Sequence, residues 1–153
     1  MKKPAYKYTV FSETGKRKAN QDVCRVVEMP EYKRNLLVVC DGMGGHAMGD
    51  AAAETVCNAV CNFWKENPCY NDCDEKVIRA FAHASDALYH RSRVVRPIEM
   101  GSTIVMASVE NNTATIAHCG DSRGTCCVVV KSYTRRLITP EPGPRLLHDV
   151  SSP

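Results

Sequence analysis

Runs of apolar residues along the chain predict strands near both ends and helices in the middle. Some runs alternate or are rich in β-branched residues, as half-buried strands are, and residues 35–40 form a continuous Leu/Val run typical of a strand buried on both faces. Glu110-Asn111-Asn112 is a hairpin signal between two of the runs. The predicted strands are residues 6–11, 23–28, 35–40, 103–109, 113–118 and 126–130.

Between the strand patterns the apolar period changes to that of helices. A first amphipathic helix starts at Asp50 and ends at Glu66-Asn67-Pro68. A second follows Asp72 and Glu75, which form a capping pair, and runs to about Arg91. The apolar positions are Ala53, Val56, Val60 and Phe63 in the first helix, and Val77, Ile78, Phe81 and Leu88 in the second. Strands, two helices and strands in this order indicate the α+β class.

Composition and charge limit the kind of protein. With 153 residues, 44% hydrophobic and 24% charged, the chain fits one globular domain, and a net charge of +3 gives no argument for nucleic acid or an anionic membrane as a partner. No run approaches the roughly 18 apolar residues of a membrane span, and the first residues predict no signal peptide. We therefore expect a cytoplasmic protein with reduced thiols, a domain over residues 1–139 and an irregular proline-rich tail over 140–153.

An aspartate stands where the most apolar strand ends, in the segment LLVVCDGMGGHAMGD. A strand fixes the direction of Asp41, and Gly42 lets the backbone approach whatever Asp41 binds. A carboxylate beside a main-chain carbonyl suits Mg²⁺ or Mn²⁺. A simple Asp-Gly turn explains the segment equally well. A nucleotide phosphate loop is excluded, because no Gly-Lys-Ser/Thr follows the glycines.

Three further segments carry polar residues at strand or loop edges. GKRKANQD contains Arg17 and Asp22, GSTIVMASV precedes a strand, and AHCGDSRG ends a strand at Asp121. Carboxylates that gather divalent metals, with an arginine for a phosphoryl group, indicate a metal-assisted phosphoester hydrolase. Each residue alone has a simpler explanation, as a solvated cation or a turn residue.

Together these segments resemble the PPM (PP2C) family of metal-dependent protein serine/threonine phosphatases. The resemblance extends over residues 6–130 and keeps the order of the family's motifs. The motifs are Arg17-x-x-Asn20-Gln21-Asp22, Asp41-Gly42-Met43-Gly44-Gly45, Gly101-Ser102-Thr103 and Gly120-Asp121-Ser122-Arg123.

The resemblance implies an α-β-β-α sandwich of two antiparallel sheets with flanking helices. The strands at 35–40, 103–109 and 113–118 are expected in its two facing sheets. It also implies two Mn²⁺ or Mg²⁺ ions, a third and weaker metal site, and attack of a metal-activated water on a phosphoprotein substrate.

By position in the motifs, the resemblance assigns roles to five residues. Asp41 is the bridging metal ligand and Gly42 gives its carbonyl to one ion. Asp22 lies beside the metal centre, and Asp121 belongs to the third site. Arg17 binds the substrate phosphate, so Arg17 and Asp41 are the catalytic residues.

Two departures from the family pattern limit this expectation. Gln21 replaces an acid, and an amide brings no charge. The family's C-terminal Asp-Gly-x-x-Asp and Asp-Asn motifs are absent, and divergence begins near Pro140. We therefore expect an incomplete domain with little turnover of p-nitrophenyl phosphate and an exposed apolar sheet surface that drives association. The alternative is a catalytically impaired phosphatase-like module that binds phosphoproteins or regulates a partner.

Nine cysteines permit one other site. Cys57, Cys61, Cys69 and Cys73 have spacing compatible with a structural zinc ion, although free thiols are the simpler expectation.

Overall fold

The computed structural model describes residues 7–43, 48–70, 73–94, 99–111, 113–125 and 135–138. Two long helices lie between the second and third strands. The strands are β1 (Asp22–Met29), β2 (Arg34–Met43), β3 (Gly101–Ser102), β4 (Ile104–Glu110), β5 (Thr113–Cys119) and β6 (Arg135–Ile138). The helices are α1 (Gly49–Glu66) and α2 (Cys73–Val94), and a 3-10 turn spans Pro30–Tyr32.

The strands form one sheet in the order β1-β2-β4-β5-β6, with β3 paired to the end of β2. All pairs are antiparallel except β5 with β6. The β4–β5 hairpin pairs Glu110 with Thr113, and Asn111 adopts a φ of +52°. Asn tolerates this left-handed conformation well, so the predicted hairpin is confirmed.

Helix α1 packs on one face of the sheet, and α2 packs against α1. Leu36, Val38 and Cys40 of β2 are at most 1% exposed beneath α1. The buried residues of α2 recur every three or four positions, which makes one apolar stripe; they are Val77, Ala80, Phe81, Ala84 and Leu88. The prediction that Ile78 belongs to this stripe is wrong, because its side chain is 52% exposed.

A buried cation joins the ends of the two helices. Lys76 of α2 is fully buried, its Nζ lies 4.1 Å from the centre of the Trp64 ring, and it donates a hydrogen bond to Trp64 O at 3.2 Å. Burial, and then the charge of Arg34, lower the pKa of Lys76 to about 8. A cation at the carboxyl end of α1 also complements the helix dipole.

The second face of the sheet lacks a comparable layer within the described residues. Val39 of β2 is 43% exposed. The prediction that this strand is buried on both faces is therefore correct for one face only. The strands predicted for two facing sheets are neighbours in one sheet here. The first predicted strand is also wrong, since residues 7–11 have no regular secondary structure. The α+β class itself is confirmed.

Two expectations fall on other parts of the chain. The predicted strand at 126–130 and the proline-rich tail at 140–153 lie outside the described residues. None of the helices described here is both long and apolar enough to cross a membrane.

Candidate functional site

Two carboxyl groups meet at one end of the sheet. Asp22 at the start of β1 is the register partner of Asp41 near the end of β2, so both side chains lie on the face that the helices leave open. Their carboxyl groups lie close enough for the charge of Asp22 to act on Asp41. The pKa of Asp41 is raised by burial and then by the charge of Asp22, while Arg17 opposes the rise. A shared proton or a nearby cation stabilises such a pair.

The loop before β1 brings a guanidinium group to this pair. Gly15 adopts a φ of +60°, and Arg17 N donates to Thr14 O at 3.2 Å, which closes a tight turn. Asn20 fixes the loop to the strand by accepting from Asp22 N at 3.0 Å. The resulting cleft of about 420 Å³ is lined by Glu13, Thr14, Gly15, Lys16, Arg17, Ala19, Asn20, Gln21, Asp22 and Asp41.

Gly42 is required by close packing of the first turn of α1. A Cβ atom on Gly42 would lie 1.8 Å from Gly49 O, and one on Gly49 would lie 2.6 Å from the Gln21 side chain. Gly42 N also donates to Gln21 O at 3.2 Å. The two glycines therefore let α1 begin directly against the strand end that carries Asp41, with Gln21 packed on its first residue.

The Gly-Ser-Thr segment fixes the backbone of Asp41. Asp41 N donates to Thr103 Oγ1 at 3.1 Å, and Asp41 O accepts from Thr103 N at 2.8 Å and from Ser102 Oγ at 3.2 Å. Both hydroxyl side chains are buried, at 2% and 1% exposure. The sequence showed these two residues only as the start of a strand. Two small hydroxyl side chains directly after a glycine could have indicated hydrogen bonds to a neighbouring backbone.

Asp121 lies close enough to act on Asp41. It follows Gly120, whose φ is +99°, and its charge is the weakest of the influences that raise the pKa of Asp41. Asp121 does not line the cleft that holds Arg17, Asp22 and Asp41. The structure thus brings Arg17, Asp22, Asp41 and Gly42 together and places Asp121 at the edge of the group.

The donor set fits a hard cation that keeps part of its water shell. Across the described ranges, no three His, Cys, Asp or Glu side chains are grouped closely enough to hold one ion. Two adjacent carboxyl groups are present, and Mg²⁺ is commonly held by one or two carboxylates with several waters. The raised pKa of Asp41 is the property that a bound dication would reverse.

The four cysteines whose spacing is compatible with zinc do not form a zinc site, and the simpler expectation of free thiols is confirmed for them. Cys57 and Cys61 are buried, Cys69 is exposed and Cys73 is half-buried, and all four are free thiols that form no metal-binding group. Hydrogen bonding to the Cys40 thiol, together with burial, raises the pKa of Cys57 to about 12. Thiols with raised pKa are unreactive, which agrees with a packing role.

Comparison with known proteins relates this chain to phosphatases. The family model described as protein phosphatase 2C matches residues 6–137. The serine/threonine phosphatase stp of Listeria innocua is 33% identical over 111 residues, which cover 69% of this chain and 43% of that protein.

Solved structures give the same assignment. The catalytic domain of the serine/threonine protein phosphatase PstP, solved with two manganese ions, has a TM-score of 0.58 and 28% identity over 70% of this chain and 44% of its own. A bacterial serine phosphatase has a TM-score of 0.64 and 29% identity over 74% of this chain and 47% of its own. This chain spans less than half the length of each of these relatives.

Proposed function

Because the chain belongs to the protein phosphatase 2C family, we propose that it carries the metal- and phosphate-binding part of a serine/threonine protein phosphatase. The reaction is hydrolysis of phosphoserine and phosphothreonine esters in protein substrates. The observation that carries the proposal is the Asp22–Asp41 register pair, which shares one cleft with Arg17. The names of the relatives, all serine/threonine or serine phosphatases, support it.

We assign the metal-binding role to the carboxyl groups of Asp22 and Asp41 and to the Gly42 carbonyl, with Asp121 at a third and weaker position. Mn²⁺ or Mg²⁺ is the expected ion, and the manganese-bound PstP domain supports Mn²⁺. When bound, two such ions supply the charge that generates a water nucleophile at neutral pH. Asp41 is held for this task by hydrogen bonds to both its N–H and its carbonyl group.

Arg17 is proposed to bind the substrate phosphoryl group. Its guanidinium lies close enough to Asp41 to lower that residue's pKa, on a loop that lines the same cleft. Guanidinium groups bind phosphate through two parallel hydrogen bonds, which orients as well as attracts the group.

Since seven described cysteines are free thiols, we also propose that the protein acts in the reducing cytoplasm.

Ligand-dependent melting temperatures test the binding roles. Mn²⁺ is expected to raise the melting temperature of the wild type, and inorganic phosphate is expected to raise it further only when Mn²⁺ is present. Arg17→Ala should lose the phosphate increment and keep the Mn²⁺ increment. Lys18→Ala, which removes a cation from the same loop outside the cleft lining, should keep both. Loss of the phosphate increment in Lys18→Ala as well would show that the general positive charge of the loop, and not Arg17 in particular, binds phosphate.

Turnover is measured separately with p-nitrophenyl phosphate and a phosphothreonine peptide. Mn²⁺-dependent hydrolysis that EDTA and Asp41→Asn abolish would establish the phosphatase activity in this chain. Binding of Mn²⁺ and phosphate without turnover would instead favour the impaired, phosphoprotein-binding module. A wild type that binds neither Mn²⁺ nor phosphate would refute the proposed function.

A further inference from the structure

We propose that Ser122 is a positioning residue: through the Thr103 hydroxyl, its side chain ties the Asp121 loop to the backbone of Asp41. This inference rests on the proposed function, because its consequence is the affinity of the site for a divalent cation. Its basis is a continuous hydrogen-bonded connection between the two segments that carry the candidate ligands.

The connection begins at the Asp41 main chain. Asp41 N donates to Thr103 Oγ1 at 3.1 Å, and Thr103 Oγ1 lies 2.6 Å from Ser122 Oγ. Thr103 is 1% exposed, so its hydroxyl hydrogen has no access to bulk water. Because its oxygen already accepts from Asp41 N, donation to Ser122 Oγ gives that hydrogen a partner. The short distance agrees with an O–H···O bond of ordinary or better strength.

The rest of the loop shows why this contact matters for Asp121. Asp121 is exposed, so the position of its carboxylate follows from how its backbone is held. The turn before it uses the positive φ of Gly120, and Arg123 Nη1 donates back to Gly120 O at 3.1 Å. Further on, Gly124 lies so close to β5 that a Cβ atom would be 2.9 Å from Ile116 Cγ2.

The turn is therefore anchored by packing at Gly124 and by a hydrogen bond at Ser122. The Ser122 bond runs towards Asp41, whereas the Gly124 contact runs towards the middle of the sheet. Removing the Ser122 hydroxyl should leave the turn folded and let Asp121 shift relative to Asp41. Residues that orient metal ligands through hydrogen bonds typically affect metal affinity by about 10- to 100-fold.

The test measures Mn²⁺ dissociation constants from the electron paramagnetic resonance signal of free Mn²⁺. We expect Ser122→Ala and Thr103→Val to weaken binding by about tenfold or more, in line with other residues that orient ligands. Thr103→Ser and Ser122→Thr keep the hydroxyl groups and should retain wild-type binding within about threefold. Ser108→Ala and Thr115→Val are matched controls, since both residues are buried register partners in β4 and β5.

A double-mutant cycle shows whether Ser122 acts through Asp121. In an Asp121→Asn background, Ser122→Ala should have little further effect on the dissociation constant. A wild type that binds no Mn²⁺ overturns the proposed function and this inference together. If the wild type binds Mn²⁺ and Ser122→Ala binds it equally well, only the inference is overturned. Equal weakening in the Ser108 and Thr115 variants also overturns it, since that would indicate a general loss of stability. If Ser122→Ala fails to fold, the Thr103→Val and Thr103→Ser pair decides in the same way.

Discussion

Asp22 and Asp41 are register partners at the ends of two neighbouring strands, and burial together with the nearby charge of Asp22 raises the pKa of Asp41. Two carboxyl groups held this close cannot both ionise without repulsion. The sheet fixes their separation, so neither side chain can avoid the other by moving its backbone. A shared proton reduces this repulsion, the nearby Arg17 charge opposes it, and a dication bound at the proposed site would remove it.

Asp41→Asn should remove most of the stabilisation that Mn²⁺ provides. The wild type is expected to gain on the order of 3 kcal/mol at a hundredfold excess of Mn²⁺ over its dissociation constant, by mass action. The variant keeps the side-chain shape and loses one charge, so its metal-free melting temperature should equal or exceed that of the wild type. Melting curves with and without Mn²⁺ give both quantities.

Asp50→Asn is the control for this change. Asp50 lies in the first turn of α1 and accepts a hydrogen bond from Ala51 N, outside the cleft. It should keep the Mn²⁺ shift. If Asp41→Asn responds to Mn²⁺ as the wild type does, Asp41 is only a turn residue.

The same pair gives a pH dependence with a defined sign. The folded-state pKa of Asp41 is raised above its ordinary value of 3.8, so the folded protein holds this proton at pH values where the unfolded chain has released it. Metal-free stability from this group is therefore greatest at low pH and falls as the pH rises through that window. Urea unfolding between about pH 4 and pH 7 should show the fall in the wild type and a smaller one in Asp41→Asn.

The sequence identified Asp41 because an apolar strand ends there, but it could not show what lies opposite. The pairing with Asp22 depends on the connection between β1 and β2, where Lys33 adopts a φ of +49°. Hydrophobic periodicity does not determine that register. The roles of Thr103 and Ser122 were also missed, because their hydroxyl groups meet across 19 residues of chain and only the folded sheet brings them together.

Helix prediction succeeded where burial followed the regular period and failed where it did not. The α2 stripe matches the apolar pattern because each buried position lies three or four residues from the next. Ile78 is apolar and adjacent to the buried Val77, yet it is rotated by about 100° around the helix and faces solvent. Single exposed isoleucines are common in proteins, so the exposure of Ile78 could not be predicted from composition.

Gly42→Ala should destabilise the protein by about 1–3 kcal/mol or more, which is the usual cost of overpacking. The added Cβ atom would lie 1.8 Å from Gly49 O, and a backbone atom cannot move aside as a flexible side chain can. Gly15→Ala is the comparison, because its φ of +60° is strained but no atom lies within 4 Å of the new Cβ. It should lose only about 1 kcal/mol. Equal losses in urea unfolding would show that Gly42 is not specifically required by packing.

Lys76 should make stability rise with pH in the alkaline range. Its pKa is lowered from 10.5 in the unfolded chain to about 8 in the folded protein by burial. Between these values the unfolded chain binds the extra proton, so deprotonation favours the folded state by at most about 3 kcal/mol. The buried thiols act in the opposite direction, because the raised pKa of Cys57 lets the unfolded chain lose its proton first.

The Lys76 contribution is therefore measured as a difference. Lys76→Met retains a long side chain against Trp64 without a titrating group. Between pH 8 and pH 10 the stability of the wild type should increase relative to that of Lys76→Met. A constant difference across this range would contradict the lowered pKa.

Val39 should contribute to self-association through the uncovered sheet face. It is 43% exposed in the middle of the sheet, and its register neighbours are Cys24 and Val105. An apolar sheet surface of this kind favours contact with another chain. Val39→Lys should shift sedimentation-velocity profiles towards monomer. Ile78→Lys is the control, since Ile78 is 52% exposed on α2 and lies away from the sheet. A wild-type chain that is monomeric at high concentration would contradict this prediction.

Gln21→Glu should tighten Mn²⁺ binding by about tenfold, because an added negative ligand charge strengthens a divalent-cation site. The change preserves side-chain shape and adds a carboxylate at a residue that lines the same cleft as Asp22 and Asp41. Without metal, its repulsion with that pair is partly offset by the positive end of α1, since Gln21 packs against Gly49 at the first turn. The metal-free melting temperature should therefore change little, while the Mn²⁺-dependent increase becomes larger. Asn62→Asp adds the same charge on an exposed position of α1 and should leave Mn²⁺ binding unchanged. Unchanged or weaker binding by Gln21→Glu would mean that residue 21 acts only in packing against α1.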